Sequence, residues 1–268
     1  MSETEYRGNI DRFTGFADLY DKFRPRPPES LAGLLCHMIK SDRPARVVDL
    51  GCGTGLSTRY WADRADRVLG VEPTDSMREE AQRQPRPNVS FLPGFSHATG
   101  LPDASADLVT CSQALHWMDP EGTFREAARI LRPGGVFAAY DYDWPPATGV
   151  WEADQQYDLC MATARKLETD LGIVQELRQW DKGGHLERMG ESGAFRYVRE
   201  VVMHHEDAGN AERLVGLALS QGHVQTLLKR GLTETDTGIT ALRQAGDQWL
   251  GDESRPWWWS SRIRLGVV

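Results

Sequence analysis

The chain has 268 residues, a formal net charge of -8 and a pI near 5.4, a balance that argues against a general nucleic-acid binder, which presents a basic face to phosphates. No apolar run reaches the length of a membrane span. Its four cysteines, Cys36, Cys52, Cys111 and Cys160, form no CxxC pair and no zinc-like spacing with histidine, so they read as reduced thiols and no metal is expected.

The N-terminal MSETEYRGNIDRF is acidic and polar, neither a secretory nor a transit signal, and the expected location is the cytoplasm. From 11 to 24, Phe13, Phe16, Leu19, Tyr20 and Phe23 recur at three- and four-residue spacings, which predicts an amphipathic helix stopped by Pro25, Pro27 and Pro28. A second helix is predicted over 29–40. The pattern then changes. Short apolar strands at 47–50, 68–71, 89–92, 107–111 and 136–140 alternate with helices at 56–65, 76–83 and 120–131, the last closed by the turn Pro133-Gly134-Gly135. Such alternation argues for βαβ units and a parallel sheet. Residues 150–181 read as one long helix with a weak point at Gly172. A strand follows at 195–205, then helices at 211–230 and 233–250, and a last strand at 262–268. Without repeats or low-complexity linkers, one domain over 1–268 is expected. Its parts are an N-terminal helical lid (1–40), a core (46–141), a helical cap insertion (150–190) and strands and helices (195–268) that complete the sheet.

Val47-Val48-Asp49-Leu50-Gly51-Cys52-Gly53-Thr54-Gly55 runs a buried strand into a turn with glycine at alternate positions. Glycines there permit positive φ and let a ligand approach the backbone, while the next helix aims its N-terminal NH groups at it. A dinucleotide fingerprint would place its third glycine at 56, where the chain has Leu56. Asp49 before the first glycine instead suits an amino-acid-bearing nucleoside. At the end of the second strand, both oxygens of Glu72 match the two vicinal hydroxyls of a ribose.

Asp49-x-Gly51-x-Gly53-x-Gly55, Glu72, Gly94-Phe95-Ser96-His97, Asp107-Leu108-Val109 and Leu131-Arg132-Pro133-Gly134-Gly135 resemble, in order and spacing, the motifs of class I S-adenosylmethionine-dependent methyltransferases. Gln113-Ala114-Leu115-His116-Trp117 and Tyr20-Asp21-Lys22-Phe23-Arg24-Pro25 are similar to the small-molecule branch that contains trans-aconitate methyltransferase and methyltransferase type 11 domain proteins. The resemblance implies a doubly wound, mostly parallel seven-stranded α/β sheet (Rossmann-like) with N-terminal helices and a helical cap, and S-adenosylmethionine as methyl donor. In that reading Gly51, Cys52, Gly53 and Gly55 hold the methionine part, beside Asp49 and Tyr20. Glu72 takes the ribose hydroxyls, Pro73 and Met77 lie against the adenine, and the backbone at Ser96 meets its edge. Gln113 sits under the amino group. Phe95 and His97 depart from the family pattern, so His97 is a cofactor contact without the usual side-chain bond.

Around this site several readings stay open. His116 is a general base or substrate contact, or a loop residue beside Trp117 as a lid over the cofactor. In Tyr140-Asp141-Tyr142-Asp143-Trp144, alternation lets only one of Asp141 and Asp143 face the site, and Asp141 is the candidate base. Tyr142, Trp144 and Trp151 are candidates for lining a pocket for a planar or hydrophobic small molecule. The acceptor atom is not determined by these residues, nor is the role of Trp257-Trp258-Trp259, and a homodimer is allowed. Rival readings are a cofactor-binding protein that catalyses a non-methylating step such as a cyclisation, and a non-catalytic scaffold.

Overall fold

A computed structural model describes residues 7–268. Its centre is a seven-stranded sheet of β1 (Arg46–Leu50), β2 (Arg67–Val71), β3 (Val89–Leu92), β4 (Ala106–Ser112), β5 (Leu131–Tyr142), β6 (Tyr197–Gly209) and β7 (Arg255–Val267), in the order β3-β2-β1-β4-β5-β7-β6. β1 to β5 pair in parallel, and β7 runs antiparallel to β5 with Tyr140 opposite Ile263. The order reverses direction at β1 and β4, the switch point where such sheets bind ligands beyond their carboxyl ends. The doubly wound, mostly parallel sheet expected from the sequence is the one observed.

The chain divides into two compact units. The second unit, residues 26–142, 179–203 and 261–268, holds most of the sheet. Both faces of the central strands β1, β4 and β5 are buried, because side chains alternate and helices cover each side. Val47, Val68, Leu108, Val136, Ala138 and Tyr140 pack with Leu31, Leu35 and Ile39 of α3 (Ser30–Ile39) and with Trp61. Their neighbours Val48, Val109, Phe137 and Ala139 face the other way, onto Phe124, Ala127 and Ile130 of α6 (Pro120–Ile130) and Met189 of α8 (His185–Glu191). The rings of Phe124, Phe137 and Phe195 meet at centroid distances of 5.6 to 5.9 Å, and truncating Phe124 to alanine would cost about 3–5 kcal/mol. Asp119 caps α6 by accepting from the Gly122 amide, and Pro120 occupies its first turn.

The first unit, residues 1–25, 143–178 and 204–260, is mainly helical. It contains α1 (Arg7–Phe13), α2 (Ala17–Phe23), α7 (Trp151–Asp170), α9 (Ala211–Leu219), α10 (Gly222–Lys229) and α11 (Ile239–Trp249). α7 packs on α10 and α11, and α9 on α2 and α11. Gly216 leaves the Phe23 ring the space a Cβ would fill. Arg12 and Glu168, both buried, pair at 2.6 Å.

Several expected boundaries move. The helix expected over 11–24 is two helices, split at Gly15, whose φ is +87°. The long helix ends at Asp170, with Gly172 in the left-handed region and only a turn of 3-10 helix beyond. The helix expected over 56–65 is α4 (Leu56–Tyr60) alone. Pro133-Gly134-Gly135 does not end a helix before a separate strand. It is an irregularity inside β5, where pairing with β4 jumps from Ala106–Leu131 to Leu108–Val136. β7 starts at Arg255, so the tryptophan run alternates along a strand: Trp257 and Trp259 are buried and Trp258 is 55% exposed. Nor do the expected segments coincide with the units. The 1–40 stretch is shared, with α1 and α2 in the first and α3 in the second, and 150–190 likewise divides between α7 and α8.

Candidate functional site

At the carboxyl end of β1 the chain makes the glycine turn. The Gly51 and Cys52 amides donate to the Val71 carbonyl at 2.8 and 3.2 Å, and the Gly55 amide to the Cys52 carbonyl at 2.9 Å, which docks the turn on the end of β2. Gly51, Gly53 and Gly55 have φ of +63°, +54° and +79°. A Cβ on Gly51 would collide with Met118 and Ala114, whereas one on Gly53 would meet nothing within 4 Å. The turn is therefore closed at 51 and open at 53. Cys52 is buried, with its sulfur over Gly70.

Asp49 lies beneath this turn, fully buried. Its Oδ2 accepts from Ser57 Oγ (2.6 Å) and Thr58 Oγ1 (2.7 Å), and its Oδ1 from Thr110 Oγ1 (2.8 Å). Burial pushes its carboxyl up while these hydroxyls pull it back. It braces β1, α4 and β4 around the turn, so its part in any ligand site is to hold the backbone. Glu72 is also buried, and burial raises its carboxyl. Its Oε2 accepts from the Gly53 amide at 3.0 Å and its Oε1 from the Thr74 amide at 2.9 Å, which fixes the carboxylate beside the open glycine.

Next to it, Pro73 leads into α5 (Asp75–Gln82), whose Met77 is buried. Ser96 is buried with Oγ 2.7 Å from Thr123 Oγ1, and the rings of Phe95 and His97 stack at 5.5 Å. After β4, Gln113 adopts a φ of +54°, its amide donates to the Tyr140 carbonyl, and its buried Nε2 has no partner among the described residues. The next residue, Ala114, abuts Gly51. His116 is buried, Trp117 half-buried, with ring centroids 4.7 Å apart.

Sequence reasoning missed Lys182 and Arg264. Asp141, at the end of β5, is held between them: Lys182 Nζ lies 2.7 Å from Oδ1 and Arg264 Nη1 2.9 Å from Oδ2. Glu200 adds a second carboxylate to Arg264, and Lys182 also reaches Gln113 Oε1 at 3.3 Å. Burial would raise the Asp141 carboxyl, but Lys182, then His116 and Arg264, outweigh it and hold it below the usual carboxylate range. A carboxylate so paired is a poor proton acceptor, which corrects the expectation of Asp141 as general base. It supports the charge of its neighbours instead, with His116 Nδ1 at 3.9 Å. The Trp180 amide donates to the His116 carbonyl at 2.8 Å, so 180–182 straps across the ends of β4 and β5. Nothing in the spacing of an isolated lysine and a C-terminal arginine signals this; only the strand register brings them to Asp141.

The remaining candidates are divided between the two units. Tyr142 is buried at the end of β5 in the second unit, while Tyr20, Trp144 and Trp151 belong to the first. There Trp144 meets Trp259 edge-on at 5.1 Å, and Trp151 is 68% exposed at the start of α7.

A sheet of this order, an open glycine turn after β1 and a buried carboxylate fixed beside it define the core of a class I S-adenosylmethionine-dependent methyltransferase. Residues 48–139 match the methyltransferase domain family. The chain is 38% identical over 117 residues to an uncharacterised methyltransferase of Mycobacterium tuberculosis, covering 43% of this chain and 46% of that one. It is 31% identical over 145 residues to a probable S-adenosylmethionine-dependent methyltransferase of Saccharomyces cerevisiae, covering 49% of each. The matches span about half the length of these curated relatives. Among solved structures, a putative type II methyltransferase from Anaeromyxobacter dehalogenans superposes with a TM-score of 0.62 at 26% identity, over 91% of this chain and 98% of that one.

Proposed function

We propose that the chain transfers the methyl group of S-adenosylmethionine to a small molecule. The observation that carries this reading is the pairing of Gly53, open to a ligand, with Glu72, whose carboxylate is fixed next to it. The residues present fit the cofactor: an uncrowded turn, a buried diol acceptor, and the unpartnered Nε2 of Gln113. Gly51, Cys52, Gly53 and Gly55 would hold the methionine part, Glu72 the ribose, Pro73, Met77, Ser96 and His97 the adenine, with Gln113 and Trp117 closing the site.

S-adenosylmethionine supplies an electrophilic methyl group on a sulfonium, and the protein's task is alignment with the acceptor. Asp49 keeps the turn rigid, so the glycines need not reorganise when the ligand binds. Lys182 and Arg264 keep Asp141 ionised beside His116. His116, with Nδ1 3.9 Å from that carboxylate, is the candidate to take a proton from the acceptor. An acceptor already ionised would need positioning alone.

Incubation with S-adenosylmethionine and a panel of small acceptors, read by product mass, tests the reading. A gain of one methyl group with formation of S-adenosylhomocysteine is expected. Turnover without that gain would mean a different reaction on the same site.

A further inference from the structure

Where β4 and β5 end, a lysine ammonium sits between two oxygens. Lys182 Nζ lies 2.7 Å from Asp141 Oδ1 and donates to Gln113 Oε1 at 3.3 Å. Both acceptors are held in place. Arg264 fixes the other oxygen of Asp141 at 2.9 Å. Gln113 is set by its left-handed backbone, φ +54°, and by its amide, which donates to the Tyr140 carbonyl at 2.9 Å. A non-glycine residue keeps such a backbone only where its surroundings impose it. The next residue, Ala114, abuts Gly51 of the glycine turn. The two oxygens therefore lie beside the turn assigned to the methionine part of the donor.

The lysine differs from its acceptors in how it is held. The backbone around it is pinned. The Trp180 amide donates to the His116 carbonyl at 2.8 Å, Arg188 donates to the Asp181 carbonyl at 3.0 and 2.6 Å, and the Gly184 amide donates to Asp181 Oδ2 at 2.9 Å. The Lys182 side chain is 35% exposed, whereas those of Asp141 and Arg264 are 7% and 4% exposed. An ammonium with that exposure gives up a carboxylate readily, because water takes over its hydrogen bonds and its stem is flexible. The charges around it balance, Lys182 and Arg264 against Asp141 and Glu200. Departure of the lysine alone would strip a buried carboxylate of one of its two cations, which is unfavourable unless another cation takes its place.

We propose that Asp141 Oδ1 and Gln113 Oε1 form the subsite for the α-ammonium of the methyl donor, and that Lys182 fills it as a displaceable surrogate. The inference rests on the methyl-donor reading above and adds Asp141 and Lys182 to that site. An aliphatic ammonium is the group these two oxygens already hold, and both are acceptors suited to it. As the donor binds, the Lys182 side chain swings into solvent on its pinned backbone, and its contacts with Oδ1 and Oε1 pass to the donor's ammonium. The cluster then still has two cations against two carboxylates. Lys182 is thus a tethered competitor that weakens the donor through its amino-acid end alone. Asp141, unsuited as a base, has a binding role instead.

Calorimetric titration of the full chain and of its Lys182→Met variant with S-adenosylhomocysteine, beside 5′-methylthioadenosine, tests it. The second ligand keeps the nucleoside and the sulfur but carries no ammonium. Removing the competing ammonium is expected to tighten S-adenosylhomocysteine by about three- to tenfold and to leave 5′-methylthioadenosine unchanged. Lys182→Arg, which keeps a cation on the same strap, is expected to show no such gain. Weaker or unchanged S-adenosylhomocysteine binding by Lys182→Met, or an equal gain for both ligands, would overturn the proposal while leaving the methyl-donor reading intact. Failure of both ligands to bind either protein would overturn that reading and the proposal together. Should Lys182→Met not fold, Lys182→Gln is read instead: it also removes the charge and is expected to tighten S-adenosylhomocysteine alone.

Discussion

Lys182 Nζ approaches Asp141 Oδ1 to 2.7 Å while Arg264, only 4% exposed, holds the other oxygen at 2.9 Å. The carboxylate is thus the neutralising centre of a buried cluster. Replacing it by Asp141→Asn leaves Arg264 with Glu200 alone, and a loss of about 3–5 kcal/mol in urea unfolding is expected. Lys182→Met, whose side chain is 35% exposed, is expected to cost about 1 kcal/mol or less. Equal losses would mean that Lys182 carries the cluster.

The glycine turn separates strain from crowding. Gly53→Ala meets no atom within 4 Å and pays only for a left-handed backbone, about 1–2 kcal/mol. Gly51→Ala adds collisions at 2.5 Å with Met118 and 2.9 Å with Ala114, so its melting temperature is expected to fall further. For S-adenosylhomocysteine affinity the expected order reverses in kind: Gly53→Ala folds but fills the open space, and binding is lost.

Glu72→Gln keeps the shape and one carbonyl acceptor but places an amide where one oxygen accepts from Gly53 or Thr74. We expect S-adenosylhomocysteine to bind at least about tenfold more weakly by calorimetry. Unchanged affinity would remove Glu72 from the site.

On the far side of α6, Glu126 accepts from Thr99 and Arg129, and the Arg129 hydrogen bond outweighs burial, which raises the carboxyl, and brings it down to about 2 from 4.5. A carboxyl depressed on folding stabilises the native state above about 4.5, and that contribution disappears as the pH falls toward 2. Because Arg129 is partly exposed, the effect is expected to be about 1–2 kcal/mol. Glu126→Gln should lower stability at pH 7 by that amount and flatten the acid side of the curve. An unchanged slope between pH 5 and 3 would show that Glu126 is not the group.

Local chemistry was enough to read the sheet and the methyl-donor turn. A short strand with Val47, Val48 and Leu50 entering Gly51-Cys52-Gly53-Thr54-Gly55 permits few conformations, since three positive φ values in alternate positions suit glycine alone. Glu72 follows by the same logic, one βα unit later. Helix ends were less legible. Gly15 and Gly172 look tolerable inside a periodic pattern, yet each adopts a left-handed φ where the chain must turn to pack, and packing is not written in periodicity.

What tertiary structure alone decided is the meaning of the charges. Asp141 was visible as a carboxylate at a strand end, the right place for a base. Its lowered proton affinity comes from Lys182 on a strap between distant helices and Arg264 on the antiparallel β7, partners set by the pairing of Asp141 with Arg262 and of Ala139 with Arg264. Backbone conformation follows from neighbours in the chain, whereas a charge takes its behaviour from whatever the fold brings within a few ångströms.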